Sequence, residues 1–163
     1  MDRLILLRHG KAERDSESGD DFDRKLADRG VIESAAMAER LADLGLIPDL
    51  VLISPSTRTR ETWTAAASAF PNAAFRVERA LYHAEESTVR DMAEAAGETS
   101  GTVMIVGHNP GLQDLAIRLL SEGSAPQTLI ARAHGAFPPA AAAVFLFDAA
   151  GRPSYDGLFF PKD

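Results

Sequence analysis

Leu4-Ile5-Leu6-Leu7-Arg8-His9-Gly10 is the stretch that decides the fold. Four consecutive apolar residues between Arg3 and Arg8 are too few for a helix face. They read instead as a strand buried on both sides, the form strands take in a parallel sheet. Arg8 and His9 then stand where that strand ends, and open α/β sheets bind ligands at the carboxyl ends of their strands. Two later stretches repeat the arrangement. Leu50-Val51-Leu52-Ile53 runs into Ser54-Pro55-Ser56-Thr57-Arg58, and Val103-Met104-Ile105-Val106 runs into Gly107-His108-Asn109-Pro110. Two arginines and two histidines delivered to one rim suit a phosphate pocket with a nucleophile in it.

Working outward, the runs Arg3–Arg8, Leu50–Ser54, Ala74–Glu78, Thr102–Gly107 and Ala142–Phe147 read as strands, with helical patterns between them. Val31, Ala35, Ala38, Leu41 and Leu44 recur at helical spacing and stop at Gly45, with Pro48 just beyond. A second helix is expected from about Thr59 to Ala69, ended by Pro71, and a third over Ser87–Ala96, ended by Gly97. A fourth begins at Pro110 and carries Leu112, Leu115, Leu119 and Leu120 on one side. Such alternation predicts an α/β fold, a three-layer α/β/α sandwich around a mostly parallel central sheet. Gly135 to Pro139 read as a loop, and Leu158-Phe159-Phe160 as either an edge strand or a docked tail. With no repeat and no linker, residues 1–163 are expected to form one domain.

Charge and composition narrow the function. With 24 acidic and 17 basic residues the net charge is −7, which argues against a nucleic-acid partner. A phosphorylated partner needs only local positive charge. Cysteine is absent, which excludes disulfides, thiolate metal sites and cysteine-nucleophile chemistry. The apolar run Leu4–Leu7 is too short for a signal-peptide core or a membrane span, so a cytoplasmic protein with no membrane partner is expected, and a monomer.

Neutral imidazole is a competent nucleophile, and His9 ends the first strand, facing the rim. Gly10 is expected to let the backbone approach a phosphate closely. A cation at a helix start opposes the macrodipole, so Arg58 there calls for a bound anion; Arg60, further from the strand, is expected to face solvent. Asn109-Pro110 reads as an N-cap followed by proline at the first helical position. His108 therefore lies between a strand and a positive helix end, placed to donate to a phosphoryl oxygen. His83 reads as a loop residue near the rim, and His134 as surface or loop packing. No histidines are spaced as metal ligands, so neither a metal nor a cofactor is expected. The charged segment from Glu13 to Arg29 reads as a solvated loop that also forms one wall of the entrance.

Taken together, these residues resemble the histidine phosphatase superfamily, the group that includes phosphoglycerate mutases and acid phosphatases, and within it the small SixA-type phosphohistidine phosphatases. The resemblance runs through Arg8-His9-Gly10, Asp20 to Arg24, Arg29-Gly30, Pro48 to Pro55, Arg58-Thr59, Glu61-Thr62, Ala80-Leu81-Tyr82 and Val106 to Pro110. It implies the phosphoglycerate mutase-like sandwich, with His9 as phosphoryl acceptor and Arg8, Arg58 and His108 as phosphate ligands. Larger relatives carry a proton-donating carboxylate in the region corresponding to Glu78–Glu86. Here Glu85 and Glu86 read as helix-opening residues, which leaves the acid unassigned. An alkyl phosphate expels a basic alkoxide and depends on a donated proton, whereas phosphohistidine expels an imidazole that protonates near neutral pH. The expected activity is hydrolysis of phosphohistidine in proteins, a histidine-phosphotransfer domain among them, through an enzyme phosphohistidine. The alternatives are a phosphatase of small phosphorylated metabolites or aryl phosphates, and a non-catalytic phosphopeptide binder.

Overall fold

After Asp2 the apolar run forms β1 (Arg3–Arg8), and the chain then alternates helix and strand. In order come α1 (Asp28–Asp43), β2 (Leu50–Ile53), α2 (Thr57–Ala66), β3 (Ala74–Val77), α3 (Glu86–Ala96), β4 (Thr102–Gly107), α4 (Gly111–Glu122), α5 (Gln127–Gly135), β5 (Ala142–Phe147) and β6 (Pro153–Phe159). This is a computed structural model, and it describes residues 1–163. The strands form one six-stranded sheet in the order β3-β2-β4-β1-β5-β6. The four strands from β3 to β1 are parallel, and β5 and β6 add to the β1 edge as antiparallel strands.

Alternation along the central strands builds two cores, because successive side chains leave opposite faces. Leu4, Leu6, Leu52, Val103 and Ile105 pack with Val89 and Ala93 of α3 and with Leu112, Leu115 and Leu119 of α4. On the other face Ile5, Leu7, Val51, Ile53 and Met104 pack with Met37, Ala38 and Leu41 of α1 and with Trp63 and Ala66 of α2. The α/β/α sandwich expected from the sequence is therefore present, with its sheet mostly parallel.

Two details depart from expectation, and one open alternative is decided. The first is α1, which presents Gly30, Ser34, Met37, Ala38 and Leu41 to the core, while Val31 and Leu44 are exposed. Close approach at its start explains the rotation: a Cβ on Gly30 would lie 2.1 Å from the Lys11 carbonyl oxygen, and one on Gly10 would lie 2.5 Å from Ser34 Oγ. Small residues let the helix press on the loop after β1, and that contact turns the helix. Second, the last fifth holds a helix, α5, that the sequence pattern does not announce. Third, Leu158 and Phe159 end a full edge strand that starts at Pro153, while Phe160 lies beyond it.

Register brings the motif-bearing ends together. Arg8 pairs with Gly107 across β1 and β4, and Ile53 with Val106 across β2 and β4. The segments that follow these three adjacent strands therefore emerge side by side on one rim.

Candidate active site

His9, Arg58 and His108 are all buried at that rim, at 6%, 2% and 5% exposure, and Arg8 is partly buried beside them. The His9 and His108 rings lie 5.5 Å apart. His9 Nδ1 sits 2.7 Å from the Gly10 carbonyl oxygen. A carbonyl can only accept, so the proton is on Nδ1 and the Nε2 lone pair is free for attack. Burial pushes the His9 pKa down from 6.5 to about 3; the Gly10 bond raises it, while the charges of Arg8, Arg58 and Arg24 lower it further. The ring is therefore neutral at working pH, the form a nucleophile needs.

His108 uses both nitrogens. Its Nε2 lies 2.6 Å from Ser54 Oγ, and its Nδ1 lies 3.4 Å from Arg58 Nη2. Since the guanidinium can only donate, Nδ1 is the acceptor and Nε2 donates to Ser54. Burial again dominates a depressed pKa, about 3, aided by His9, Arg58 and His83 and opposed by Asp21. In this neutral form Nδ1 accepts. The donation to a phosphoryl oxygen expected of His108 thus requires a proton on Nδ1, which an arriving phosphate dianion favours.

The arginines are held by backbone and by one acid. Arg8 Nη1 donates to the Phe137 carbonyl oxygen at 3.0 Å, and Asn109 Nδ2 donates to the same oxygen at 2.9 Å. Asn109 is thus engaged by Phe137 and does not cap α4, which starts at Gly111 with Pro110 in the cap position. Arg58 donates through Nη1 to the Asp21 carbonyl oxygen at 2.9 Å and through Nη2 to Asp21 Oδ2 at 3.0 Å. The Nε atoms of both Arg8 and Arg58 are buried without a protein partner. Burial lowers the Arg8 pKa, and the Arg58 charge lowers it again, so the two cations repel each other across a shared space. An oxyanion between them would relieve that repulsion.

Gly10 has a packing role as well. Its amide donates to Thr62 Oγ1 at 3.0 Å, and Thr62 Oγ1 donates to the Arg58 carbonyl oxygen at 2.8 Å. A side chain here would collide with Gly30 and Ser34, and the amide links the His9 loop to the Arg58 helix. Arg60 is exposed and donates to the Pro55 carbonyl oxygen, in keeping with its place beyond the strand end. His134 is exposed in the last turn of α5.

Several residues without an expected role join the site. Asp21 Oδ2 accepts from Arg58, from Tyr82 Oη at 2.7 Å and from His83 Nε2 at 3.2 Å, while Oδ1 accepts from Arg24 Nε at 3.0 Å. Desolvation raises the Asp21 pKa, but the Tyr82 and Arg58 hydrogen bonds and the Arg58 and Arg24 contacts outweigh it and hold the carboxyl below the usual range. The charged segment does form a wall, and Asp21 is its point of contact. No three His, Asp or Glu side chains are grouped to hold a metal ion. A cavity of about 340 Å³ lined by Lys11, Arg29, Pro138 and Phe160, among others, contains none of His9, Arg8, Arg58 or His108.

Two neutral buried histidines carry a consequence for stability. In the unfolded chain each takes up a proton near pH 6.5, whereas in the fold both stay neutral down to about pH 3. The unfolded state binds more protons in that window. Stability present above pH 6.5 is therefore lost as the pH falls, and both histidines contribute to the loss. Thermal melts between pH 7 and pH 4 should show this slope, and His108→Asn should flatten it. An unchanged slope in that variant would show that His108 is not neutral in the fold.

Comparison with known proteins agrees with this chemistry. Residues 4–137 match the family model of the histidine phosphatase superfamily, branch 1. An uncharacterized chloroplastic protein of Arabidopsis thaliana is 31% identical over 98% of this chain and 78% of its own length. An uncharacterized protein of Mycobacterium tuberculosis is 33% identical over 85% of each chain. Among solved structures, an Agrobacterium tumefaciens protein assigned as the phosphohistidine phosphatase SixA superposes with a TM-score of 0.86 at 31% identity, covering 98% of both chains. The protein histidine phosphatase SixA complexed with tungstate shares the fold, with a TM-score of 0.78 at 22% identity over 98% of this chain and 97% of that one. With Arg-His-Gly at the end of β1, a second arginine after β2 and a second histidine after β4 gathered on one rim, the chain belongs to the histidine phosphatase superfamily, as a phosphatase of the SixA type.

Proposed function

We propose that the protein hydrolyses phosphohistidine in other proteins through a phosphohistidine on His9. The observation that carries the reading is the pair of neighbouring guanidiniums of Arg8 and Arg58 beside a neutral imidazole whose Nε2 is free. His9 Nε2 attacks phosphorus in line, and the bond to the leaving nitrogen breaks with its electron pair going to that nitrogen. Arg8 and Arg58 neutralise the equatorial oxygens, where charge gathers as the phosphoryl group transfers. His108, anchored on Ser54, adds a hydrogen bond once protonated. Water then attacks the phosphoenzyme and returns His9 to its neutral form. No metal enters any of these steps.

Substrate class follows from the acids. Glu85 is exposed ahead of α3, the Glu86 carboxylate is bonded to Arg118, and Glu78 is bonded to Arg76. Asp21 is held as an anion by four donors, so it is unsuited to give up a proton. With no carboxylic acid at hand, only a weaker donor can meet the leaving group, which disfavours a basic alkoxide far more than an imidazole. The resemblance to SixA-type phosphatases points the same way and suggests a phosphoprotein partner.

Purified protein is expected to cleave a phosphohistidine peptide with kcat/KM at least about tenfold above simple alkyl phosphates, a barrier difference of about 1.4 kcal/mol. Activated aryl phosphates should fall near the peptide. If alkyl phosphates react faster, the enzyme is a small-metabolite phosphatase working with the same nucleophile.

A further inference from the structure

We propose that His83, held by Asp21, donates the proton that the leaving group takes up and recovers it from the attacking water. This rests on the His9 mechanism above and assigns the acid that the carboxylates of this chain do not supply. Two separate observations support it. The first is position. The His83 and His108 rings lie 5.4 Å apart, and His108 lies 5.5 Å from His9, so His83 stands one ring beyond the buried pair. Its side chain is 54% exposed where His9 and His108 are almost fully covered. A leaving group attached to another protein must extend from the buried phosphorus toward solvent, and the cluster opens at His83.

Orientation is the second. His83 Nε2 lies 3.2 Å from Asp21 Oδ2, and the carboxylate that receives it is itself fixed by Tyr82, Arg58 and Arg24. A carboxylate on one nitrogen fixes the ring, while Nδ1, which has no partner in the protein, is left to meet the substrate. The groups facing His83 are thus Asp21, the Tyr82 ring at 4.1 Å and His108, with Arg58 behind Asp21.

Atoms balance in both half-reactions. As His9 Nε2 bonds to phosphorus and the old bond breaks, the proton on His83 Nδ1 passes to the departing imidazole, leaving His83 neutral. In the second step water adds to phosphorus, its proton goes to His83, and the phosphorus–His9 bond breaks.

The test is the dependence of phosphoenzyme formation on the leaving group. Single-turnover rates for a phosphohistidine peptide, phenyl phosphate and p-nitrophenyl phosphate are compared in wild type and His83→Gln, with thermal melts to confirm equal folding. His83→Gln should slow the peptide about 10²-fold, in the range a general acid supplies. The loss should shrink toward a few-fold as the leaving group becomes more acidic, giving a steeper leaving-group slope across the aryl esters. An equal loss on every substrate would make His83 a structural residue and overturn the proposal, as would no loss at all. A wild-type preference for alkyl phosphates would instead overturn the substrate reading, and the His83 slope within the aryl series would still decide the acid.

Discussion

His9→Ala is expected to abolish turnover, lowering kcat by at least about 10⁴-fold, because a covalent route without its nucleophile leaves only the residual help of binding and oxyanion contacts. The protein should still fold and still bind inorganic phosphate. Arg8 is tied to the Phe137 carbonyl and Arg58 to Asp21, and neither contact involves His9. Loss of the His9 ring removes one hydrogen bond to Gly10, while the Gly10 amide keeps its bond to Thr62 and so keeps the loop in place. Wild-type enzyme quenched during turnover should carry an acid-labile, base-stable phosphate on His9. A label on serine or aspartate, or near-full activity in His9→Ala, would end the covalent reading at this residue.

His9 is legible in the amino-acid sequence because of burial. Strands β1, β2 and β4 lie in the middle of the sheet with both faces covered, so each is a near-continuous apolar run with a sharp end. A polar residue at such an end is conspicuous, and Arg8, His9, Arg58 and His108 all lie within a few residues of one. The outer elements lack that contrast. Strand β6 runs Pro153-Ser154-Tyr155-Asp156-Gly157-Leu158-Phe159 at the sheet edge, and only Gly157 and Leu158 are buried. Helix α5 buries only Ala133, so no apolar stripe marks it. In α1 the period is visible but the face is not, since Gly30 and Ser34 are buried through the approach of the loop at Gly10 and Lys11, a tertiary contact.

Within the site, the residues that escape sequence reasoning are those joined by loops. Asp21 meets Arg58 across 37 residues and Tyr82 across 61. Nothing separates Asp21 from Asp20 or Asp23 in a charged stretch, because which carboxylate turns inward depends on the short helical turn at Asp21–Asp23. Ser54 does carry a signal, since it follows the apolar run of β2 directly and is fully buried, which a serine tolerates only with a partner. His83 is readable as a rim residue, yet its bond to Asp21 depends on the same unreadable turn.

Arg58→Ala should cost about 2.7–4 kcal/mol of transition-state stabilisation, a fall of about 10²–10³ in kcat/KM, the size found when a preorganised oxyanion donor is removed. The structure adds a second contribution. Arg58 is nearly buried and is paired with Asp21, whose carboxylate also takes bonds from Tyr82, His83 and Arg24. Without the guanidinium, that negative charge remains close to the place where the phosphoryl oxygens must sit and repels them. The single variant therefore loses an attraction and gains a repulsion. Asp21→Asn introduced into Arg58→Ala should recover part of the loss, although Asp21→Asn alone should lower activity by loosening Arg58. Arg58→Lys should restore only a fraction, since an ammonium cannot donate along two edges to Asp21 and phosphate at once. Arg60→Ala is the control, because Arg60 is exposed and bonded only to the Pro55 carbonyl. Measured kcat/KM values for these variants decide the matter. An Arg60→Ala loss equal to that of Arg58→Ala would mean that Arg58 does not hold the phosphoryl group. A double variant no better than Arg58→Ala would mean that Asp21 acts only as a structural anchor.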